Sequence, residues 1–336
     1  MCFLRVSEMD KKYTLPLSAE IVMANQDDMV WLPGGQFRMG SDTHYKEEAP
    51  AHEAMVSGFW IDSTPVTNRQ YAAFVEATNY VTVAEFTPRA EDYPGALPEM
   101  LKPASLVFVP TSGPVRLDDW SQWWQWTFGA DWRHPTGPGS NLDNLWDHPV
   151  VHVALADVEA YAAWAGKQLP TETEWEYAGW AGNWAHEFAW GDELEPDGMH
   201  MANVWQGNFP YENSLADRFL RTSPVGSFSP NRFGLYDMIG NVWEWTADWY
   251  TRSHVAAPAK ACCVPSDMRD VARRGSQDPN LPAIPIPRRV LKGGSHLCAP
   301  NYCRRYRPAA RHAQPIDSAA SHIGFRCVRR APGPTE

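Results

Sequence analysis

The chain has 336 residues, of which 44% are hydrophobic and 21% charged, a composition typical of globular proteins and unlike that of disordered ones. Its 29 basic and 40 acidic residues give a net charge of −11, and no run of Lys or Arg exceeds two, which argues against a nucleic-acid partner. No stretch approaches the roughly 20 apolar residues of a membrane span, and the N-terminus lacks the apolar core of a secretory signal. We therefore expect a soluble, cytoplasmic protein without a membrane partner.

Residues 1–28 show no periodicity and are predicted to be a leader or an irregular edge segment. A single domain is predicted over residues 29–330, because no repeat or linker divides the chain. Seventeen Trp and 29 Pro residues favour loops packed around aromatic rings, since proline interrupts helices and strands. The predicted fold class is therefore α+β, irregular and loop-rich, with little regular secondary structure.

The first predicted element is a hairpin over residues 29–41, with its turn at Pro33-Gly34-Gly35. Thr67 and Gln70 have the spacing of a capping box and predict a helix that ends near Asn79. Residues 81–145 are rich in Pro, Gly and Trp, including the cluster WSQWWQW, and are predicted to form loops.

Two further helices are predicted near the middle of the chain. One begins at Asp157 and ends at Gly166, and the other begins after Thr171, which forms a capping box with Glu174. From residue 182 onward we expect short strands. Residues 256–288 carry many prolines and are predicted to be a long excursion that includes Cys262-Cys263.

Cys298 and Cys303 form the first candidate site. They are five residues apart and follow a Gly-Gly pair, a spacing that matches neither thioredoxin-like motifs nor zinc knuckles. Two thiolates suit Cu(I), which soft ligands select. A local disulfide or a pair of buried thiols is the alternative that the spacing alone leaves open.

Oxygen-rich segments form the second candidate. Asp237 and Glu244 lie within eight residues that also offer main-chain carbonyls, and Asn203 with Asp217 offers a similar mixture. Such oxygens are the ligands that Ca²⁺ prefers, although solvated turns carry the same residues. A cluster of arginines at positions 304, 305, 307 and 311 indicates either anion binding or ion pairs with the acidic surplus.

Other site classes lack support in the sequence. No H-E-x-x-H, G-x-S-x-G, Walker loop or G-x-G-x-x-G motif is present, so zinc-protease, esterase and nucleotide-binding functions are not indicated.

Several segments together resemble the formylglycine-generating enzymes, or sulfatase-modifying factors, in order along residues 29–328. They include WLPGGQFRMGSD, WRHPTGP, LPTETEWEYA, GNVWEWT and, most specifically, LKGGSHLCAPNYCRRYRPAAR. The resemblance implies a fold distantly like that of C-type lectins. Animal relatives have disulfide cysteines where this chain has Gly179 and Pro308, so the prokaryotic type is indicated.

The resemblance also implies an activity: a copper-dependent oxidase that uses O₂ to convert the cysteine of a Cys-x-Pro-x-Arg motif to Cα-formylglycine and thereby activates type I sulfatases. The implied catalytic residues are Cys298 and Cys303, which would hold Cu(I), and Ser295, which would bind the oxygen species or the substrate. The implied substrate-binding residues are Trp243, Tyr302 and Arg311, for which packing aromatics and an ion-paired arginine are the alternative.

Two structural Ca²⁺ sites are implied in the same way. The first comprises Asn203, Val204, Asp217 and Phe219, and the second comprises Asp237, Gly240, Val242 and Glu244. The expected partners are an unfolded sulfatase polypeptide, O₂ and a thiol reductant, and we expect a monomer. The rival hypothesis is a non-catalytic peptide- or ligand-binding module on the same fold, whose mark would be loss of either cysteine.

Overall fold

The computed structural model describes residues 28–91, 93, 95–254 and 266–330. The predicted leader lies outside these residues except for Asp28, as does the first part of the predicted excursion with Cys262-Cys263. The helices are α1 (Asn68–Thr78), α2 (Leu155–Trp164), α3 (Glu172–Trp180) and α4 (Ser266–Gly275). The strands are β1 (Met29–Met39), β2 (His52–Asp62), β3 (Ala104–Phe108), β4 (Trp124–Phe128), β5 (Trp243–Trp249), β6 (Arg288–Lys292), β7 (Arg311–Pro315), β8 (Ile323–Gly324) and β9 (Val328–Arg329).

In the described part of the chain, these strands form three small sheets with the orders β1-β2-β9, β3-β4 and β7-β6-β5-β8. All pairings are antiparallel except that of β5 with β8. Long loops join the elements, so the predicted α+β class with little regular structure is confirmed. None of the described helices has the length and hydropathy that a bilayer crossing requires.

The prediction of a hairpin over residues 29–41 is wrong, because residues 29–39 form the single strand β1, which pairs with β2 along its length. Pro33-Gly34-Gly35 lies inside the strand. Gly34 has a φ of +78°, and a Cβ there would lie 2.3 Å from the carbonyl oxygen of Val56. Glycine here permits a close approach of two strands, and a chain reversal would have required the same residue type.

The three predicted helices are confirmed by their caps. The hydroxyl of Thr67 accepts from the amide of Gln70, and Thr171 makes the same contact with Glu174. Helix α2 begins two residues before the predicted start, and its Asp157 accepts from the amide of Ala154 at 2.7 Å. Local capping signals thus located these helices to within two residues.

Two predictions of irregular structure need correction. The segment 81–145 contains the antiparallel pair β3–β4, and the predicted excursion contains α4. Strand β3 also contacts the distant residues 319–321, since the amide of Leu106 donates to the carbonyl of Ala319 and its own carbonyl accepts from Ser321. Such long-range partners leave no mark in a local pattern.

The largest buried cluster lies between helices α1 and α2 and the strands β5 and β6. It contains Trp245, Phe325 and also Cys298, while Cys303 packs against its edge. The predicted catalytic cysteines therefore lie where the main core meets the surface.

Candidate active site

A glycine turn positions the first cysteine. Strand β6 is followed by Gly293 and Gly294, whose φ angles are +94° and +74°. A Cβ on Gly294 would lie 2.8 Å from the carbonyl oxygen of Arg305, so only glycine permits this approach. The turn directs the chain into the interior, where the amide of Cys298 donates to the carbonyl of Ser295 at 2.9 Å.

The structure brings the two predicted cysteines together. The amide of Cys303 donates to the carbonyl of Ala299, which folds the chain back so that the two Sγ atoms lie 3.2 Å apart. Both thiols are free, and Cys298 is only 2% exposed. Of the alternatives that the spacing left open, a disulfide is absent from this structure, because its sulfur atoms would lie near 2.05 Å. We call Cys298 and Cys303 the thiol pair.

The two thiols differ in their electrostatic surroundings. The pKa of Cys303 is lowered to about 6 because Cys298 donates a hydrogen bond to its sulfur and because the Arg305 guanidinium lies 4.0 Å away. Burial raises the pKa of Cys298. Arg305 is held by Glu47 at 2.5 Å and by the ring of Tyr45 at 3.8 Å. At neutral pH the pair therefore consists of the thiolate of Cys303 and the thiol of Cys298.

Aromatic rings form the wall beside the thiol pair. The ring of Tyr302 stacks on Phe209 at 4.5 Å and meets Trp123 edge-on at 5.4 Å. Burial and the neighbouring thiols raise the pKa of Tyr302 to about 12, so its phenol stays protonated. Trp243 is 3% exposed and belongs to the same buried cluster as Cys298. Tyr302 thus lies beside the thiol pair on its exposed side, and Trp243 lies in the buried cluster that includes Cys298.

Ser295 lies on the same turn as the thiol pair and is fully buried. Its carbonyl accepts from Cys298, and its hydroxyl accepts from the amide of Leu297 at 3.3 Å. Among the described residues, this hydroxyl accepts a hydrogen bond and donates none.

The arginines of the C-terminal cluster are ion-paired, as the acidic surplus suggested. The pairs are Arg304 with Glu187, Arg305 with Glu47, Arg307 with Glu48 and Arg311 with Glu172. Arg311 is 1% exposed, and its guanidinium also donates to the carbonyls of Glu47 and Thr251. The geometry favours the ion-paired alternative for Arg311 over the predicted contact with substrate.

Among the residues that the structure describes, one group of three acidic or histidine side chains has ligand atoms within 4.8 Å of one another: Glu172, Glu176 and His254. We call it the carboxylate cluster. Lys292 lies 2.8 Å from Glu176 and 3.8 Å from Glu172, and Arg311 lies 2.7 Å from Glu172. Two cations already balance the two carboxylates, so the cluster is a buried ion-pair network.

The first predicted calcium site fits the structure in part. Oδ2 of Asp217 is buried and has no hydrogen-bond partner among the described residues, while its Oδ1 accepts from the amide of Phe219. Burial raises the pKa of Asp217. Asn203 is buried and donates through Nδ2 to the carbonyl of Arg221, which leaves Oδ1 as a potential ligand. The carbonyl of Val204 accepts from Gln206 at 3.1 Å. The orphaned carboxylate oxygen of Asp217 and the amide oxygen of Asn203 are both of the ligand type that a hard cation prefers.

The second predicted calcium site does not fit this geometry. Both oxygens of Glu244 accept from Arg326 at 2.8 Å, and Trp175 donates to one of them at 2.7 Å. Asp237 accepts from the amide of Gly226 and from Asn241. The guanidinium of Arg326 already neutralises the carboxylate of Glu244. This carboxylate therefore has no unbalanced charge to offer a calcium ion. The predicted main-chain ligands Gly240 and Val242 lie on the same buried loop.

Residues that the sequence did not assign also shape the site. Trp123 directly precedes strand β4, which begins at Trp124, and the ring of Trp124 lies 4.6 Å from that of His322. The WSQWWQW cluster was the available signal, but it indicated loops and not a wall of this site. Glu47, which holds Arg305, is 258 residues away in sequence and carries no motif.

The domain model that matches this chain is the sulfatase-modifying factor enzyme 1-like domain, over residues 16–331. The chain therefore belongs to the sulfatase-modifying factor family. It is 53% identical over 302 residues to the formylglycine-generating enzyme of Mycobacterium tuberculosis, covering 90% of this chain and 97% of that one. The resemblance noted from the sequence is confirmed.

Two further comparisons bear on function. The chain is 37% identical over 321 residues to the mouse protein named inactive C-alpha-formylglycine-generating enzyme 2, covering 93% of this chain and 89% of that one. The solved structure of PvdO from Pseudomonas aeruginosa is 26% identical and superposes with a TM-score of 0.57, covering 90% and 93%. The family thus includes members named as enzymes and members named as inactive.

Proposed function

We propose that this chain is a formylglycine-generating enzyme, which oxidises the cysteine of a Cys-x-Pro-x-Arg motif in an unfolded sulfatase to Cα-formylglycine. The observation that supports this function best is the thiol pair, with its Sγ atoms 3.2 Å apart behind a turn that only glycine can form. Relatives with this name cover nearly the whole chain and support the same reaction.

The proposed reaction replaces the Cβ–S bond of the substrate by a carbonyl group. Substrate cysteine, one O₂ and two reducing equivalents from an external thiol balance to formylglycine, hydrogen sulfide and water. Oxygen accepts four electrons, two from the substrate carbon and two from the thiol reductant, which is thereby oxidised to a disulfide.

Cys298 and Cys303 are the residues that would hold copper. Two thiolates are a donor set that selects the soft ion Cu(I). When bound, Cu(I) supplies the one-electron chemistry with O₂ that protein side chains lack. Arg305 favours the thiolate form of Cys303, so the chain offers one charged ligand before any metal arrives and releases one proton, from Cys298, on binding.

The surrounding residues would bind and orient the substrate and would exclude water from the site. We assign Trp243, which is buried in the same cluster as Cys298, to the interior side of the site, and the partly exposed Tyr302 to the wall that a peptide would pass. The buried hydroxyl of Ser295 retains a proton to donate to the oxygen species or to the substrate. Burial supports this division of roles, because Trp243 and Ser295 are buried whereas Tyr302 is 37% exposed.

Calcium is proposed at the first predicted site only. Asp217 and Asn203 would be its side-chain ligands, with Val204 and Phe219 contributing main-chain oxygens. The role is structural, because a cation that binds only the folded chain stabilises it by mass action.

A non-catalytic binding module is the second candidate, favoured by the relative that is named inactive. The presence of both cysteines, free and in contact, supports the enzyme instead. We further propose that the protein acts as a monomer in the cytoplasm, where the thiol pair stays reduced.

The test uses reduced protein loaded with one equivalent of Cu(I), a Cys-x-Pro-x-Arg peptide, O₂ and excess thiol. Mass spectrometry should show the peptide losing its thiol and gaining an aldehyde, with one O₂ consumed per turnover. The same peptide with Ser in place of Cys is the substrate control. Unchanged peptide and no O₂ uptake would reject the enzyme in favour of the binding module.

A further inference from the structure

A row of aromatic side chains follows strand β4. Trp124, Trp126 and Phe128 alternate with Gln125 and Thr127, so the three rings share one face of the β3–β4 pair. Trp126 is 42% exposed and Phe128 is 41% exposed, whereas Trp124 packs partly against the core. We call these three rings the aromatic row.

The aromatic row begins at the wall of the candidate active site. The ring of Trp124 lies 4.6 Å from that of His322, whose carbonyl accepts from the amide of Trp243. The neighbouring Trp123 contacts Tyr302, which precedes Cys303 in the chain. From Trp124 to the end of the strand is about 14 Å at 3.4 Å per residue. The row thus begins next to a residue that contacts Tyr302 and ends at exposed side chains.

This surface has features that a folded protein usually avoids. Within the described residues β4 pairs only with β3, so its outer edge is available to a further strand. Exposed aromatic rings on an edge strand promote unwanted pairing unless they serve a partner. Lys102 lies 5.3 Å from the ring of Phe128 and places a positive charge at the far end of the row.

We propose that the aromatic row binds the stretch of unfolded sulfatase that flanks the target cysteine, through apolar side chains at alternate positions of that stretch. The proposal rests on the proposed function, because it takes its occupant from it. An unfolded chain exposes the apolar residues that its folded form buries, and an extended segment presents every second side chain to one face. Because Trp123, next to the row, contacts the Tyr302 wall, we take the row as the path of the chain that flanks a cysteine bound at the thiol pair.

Binding is measured with three fluorescent peptides in which Ser replaces the target Cys, so the readout needs neither copper nor turnover. One peptide carries the motif alone, one adds a flank with Leu at alternate positions, and one adds a flank of Ser and Gly. Each flank is tested on either side of the motif. The variants are Trp126→Ser, Phe128→Ser and the conservative Trp126→Phe, with Trp146→Ser, 40% exposed in another loop, as the matched control.

The wild type should bind the Leu-flanked peptide at least about tenfold more tightly than the Ser/Gly-flanked one. Trp126→Ser and Phe128→Ser should lose this preference while keeping the wild-type affinity for the motif alone, and Trp126→Phe and Trp146→Ser should retain it. An unchanged melting temperature shows that the variants fold.

Equal wild-type affinity for both flanks, or a preference that survives Trp126→Ser, would overturn the proposal. So would a concentration-dependent dimer that Trp126→Ser abolishes, since the row would then bind a second copy of this chain. Failure of the proposed function looks different: copper-loaded wild type would produce no aldehyde from any Cys-containing peptide, whatever the binding preference.

Discussion

The thiol pair and the carboxylate cluster are both buried groups of metal-ligating side chains, but they differ in how their charge is balanced. In the carboxylate cluster, Lys292 and Arg311 lie within 3.8 Å of the acidic groups and match both negative charges. In the thiol pair, Arg305 lies 4.0 Å from Cys303 and is itself shared with Glu47. Close ligand atoms therefore do not define a metal site unless charge remains for the ion to balance.

The largest effect is expected in the thiol pair. Cys298→Ser or Cys303→Ser should lower aldehyde formation at least about a thousandfold, because the two sulfur ligands act as a unit. The melting temperature should change little. Turnover is measured by mass spectrometry with Cu(I) and thiol present. The matched control is Cys327→Ala, which removes the other described free cysteine, also buried, and should keep most of the activity. Either serine variant retaining a tenth of wild-type turnover would contradict the role of the pair.

A substitution in the carboxylate cluster should lower stability and leave activity unchanged, which is the opposite of the result expected for the thiol pair. Glu176→Gln leaves the fully buried Lys292 without its nearest counter-charge and should lower the free energy of unfolding by about 3–5 kcal/mol. Copper content and turnover per folded molecule should stay near the wild type. Denaturant unfolding checks the first point, with the exposed Glu99→Gln as control. Unchanged stability, or loss of copper, would show that the cluster is not a balanced ion-pair network.

The effect of calcium on stability should distinguish the two predicted calcium sites. At 100 times its Kd, Ca²⁺ should stabilise the wild type by about 2.7 kcal/mol, and Asp217→Asn should abolish this gain. Glu244→Gln should lower stability equally with calcium and with chelator, because it leaves Arg326 without its counter-charge inside the protein. Thermal unfolding in both conditions provides the measurement. A calcium gain that disappears in Glu244→Gln and persists in Asp217→Asn would reverse the assignment.

At neutral pH, the smallest predicted effect on stability concerns His254 in the carboxylate cluster. Burial, with Arg311 and Lys292 nearby, lowers its pKa to about 3. Between pH 6.5 and 3 the unfolded chain binds the proton more readily, so the contribution of His254 to stability falls as the pH falls. His254→Asn should reduce this pH dependence by up to about 1.4 kcal/mol per pH unit. Equal slopes for the wild type, the variant and the exposed control His186→Asn would contradict the assignment.

Local signals predicted the parts of the fold that depend on neighbours in sequence. The capping boxes at Thr67 and Thr171 located their helices, and the Gly-Gly pair located the turn before the cysteines. The turn predicted at Pro33-Gly34-Gly35 was wrong, because the same residues suit either a chain reversal or a close contact between two strands. Strands β3 and β4 were missed, since β3 also contacts residues more than 200 positions away.

The sequence likewise predicted the part of the candidate site that is local in the chain. The spacing of Cys298 and Cys303 indicated soft-metal ligands, and the structure places their sulfur atoms in contact. Charge partners could not be predicted, because Glu47 reaches Arg305 across 258 residues and Glu172 reaches Arg311 across 139. Those partners decide that Arg311 is buried in an ion pair and that Glu244 is committed to Arg326.

The central claim is that the thiol pair binds Cu(I) and the carboxylate cluster does not. X-ray absorption at the copper edge tests it directly, on reduced protein with one equivalent of Cu(I). The expected spectrum has sulfur neighbours alone from the protein, and both this signal and bound copper should vanish in the double variant Cys298→Ser/Cys303→Ser. Nitrogen or oxygen neighbours in the wild type, or full copper retention by the double variant, would contradict the claim.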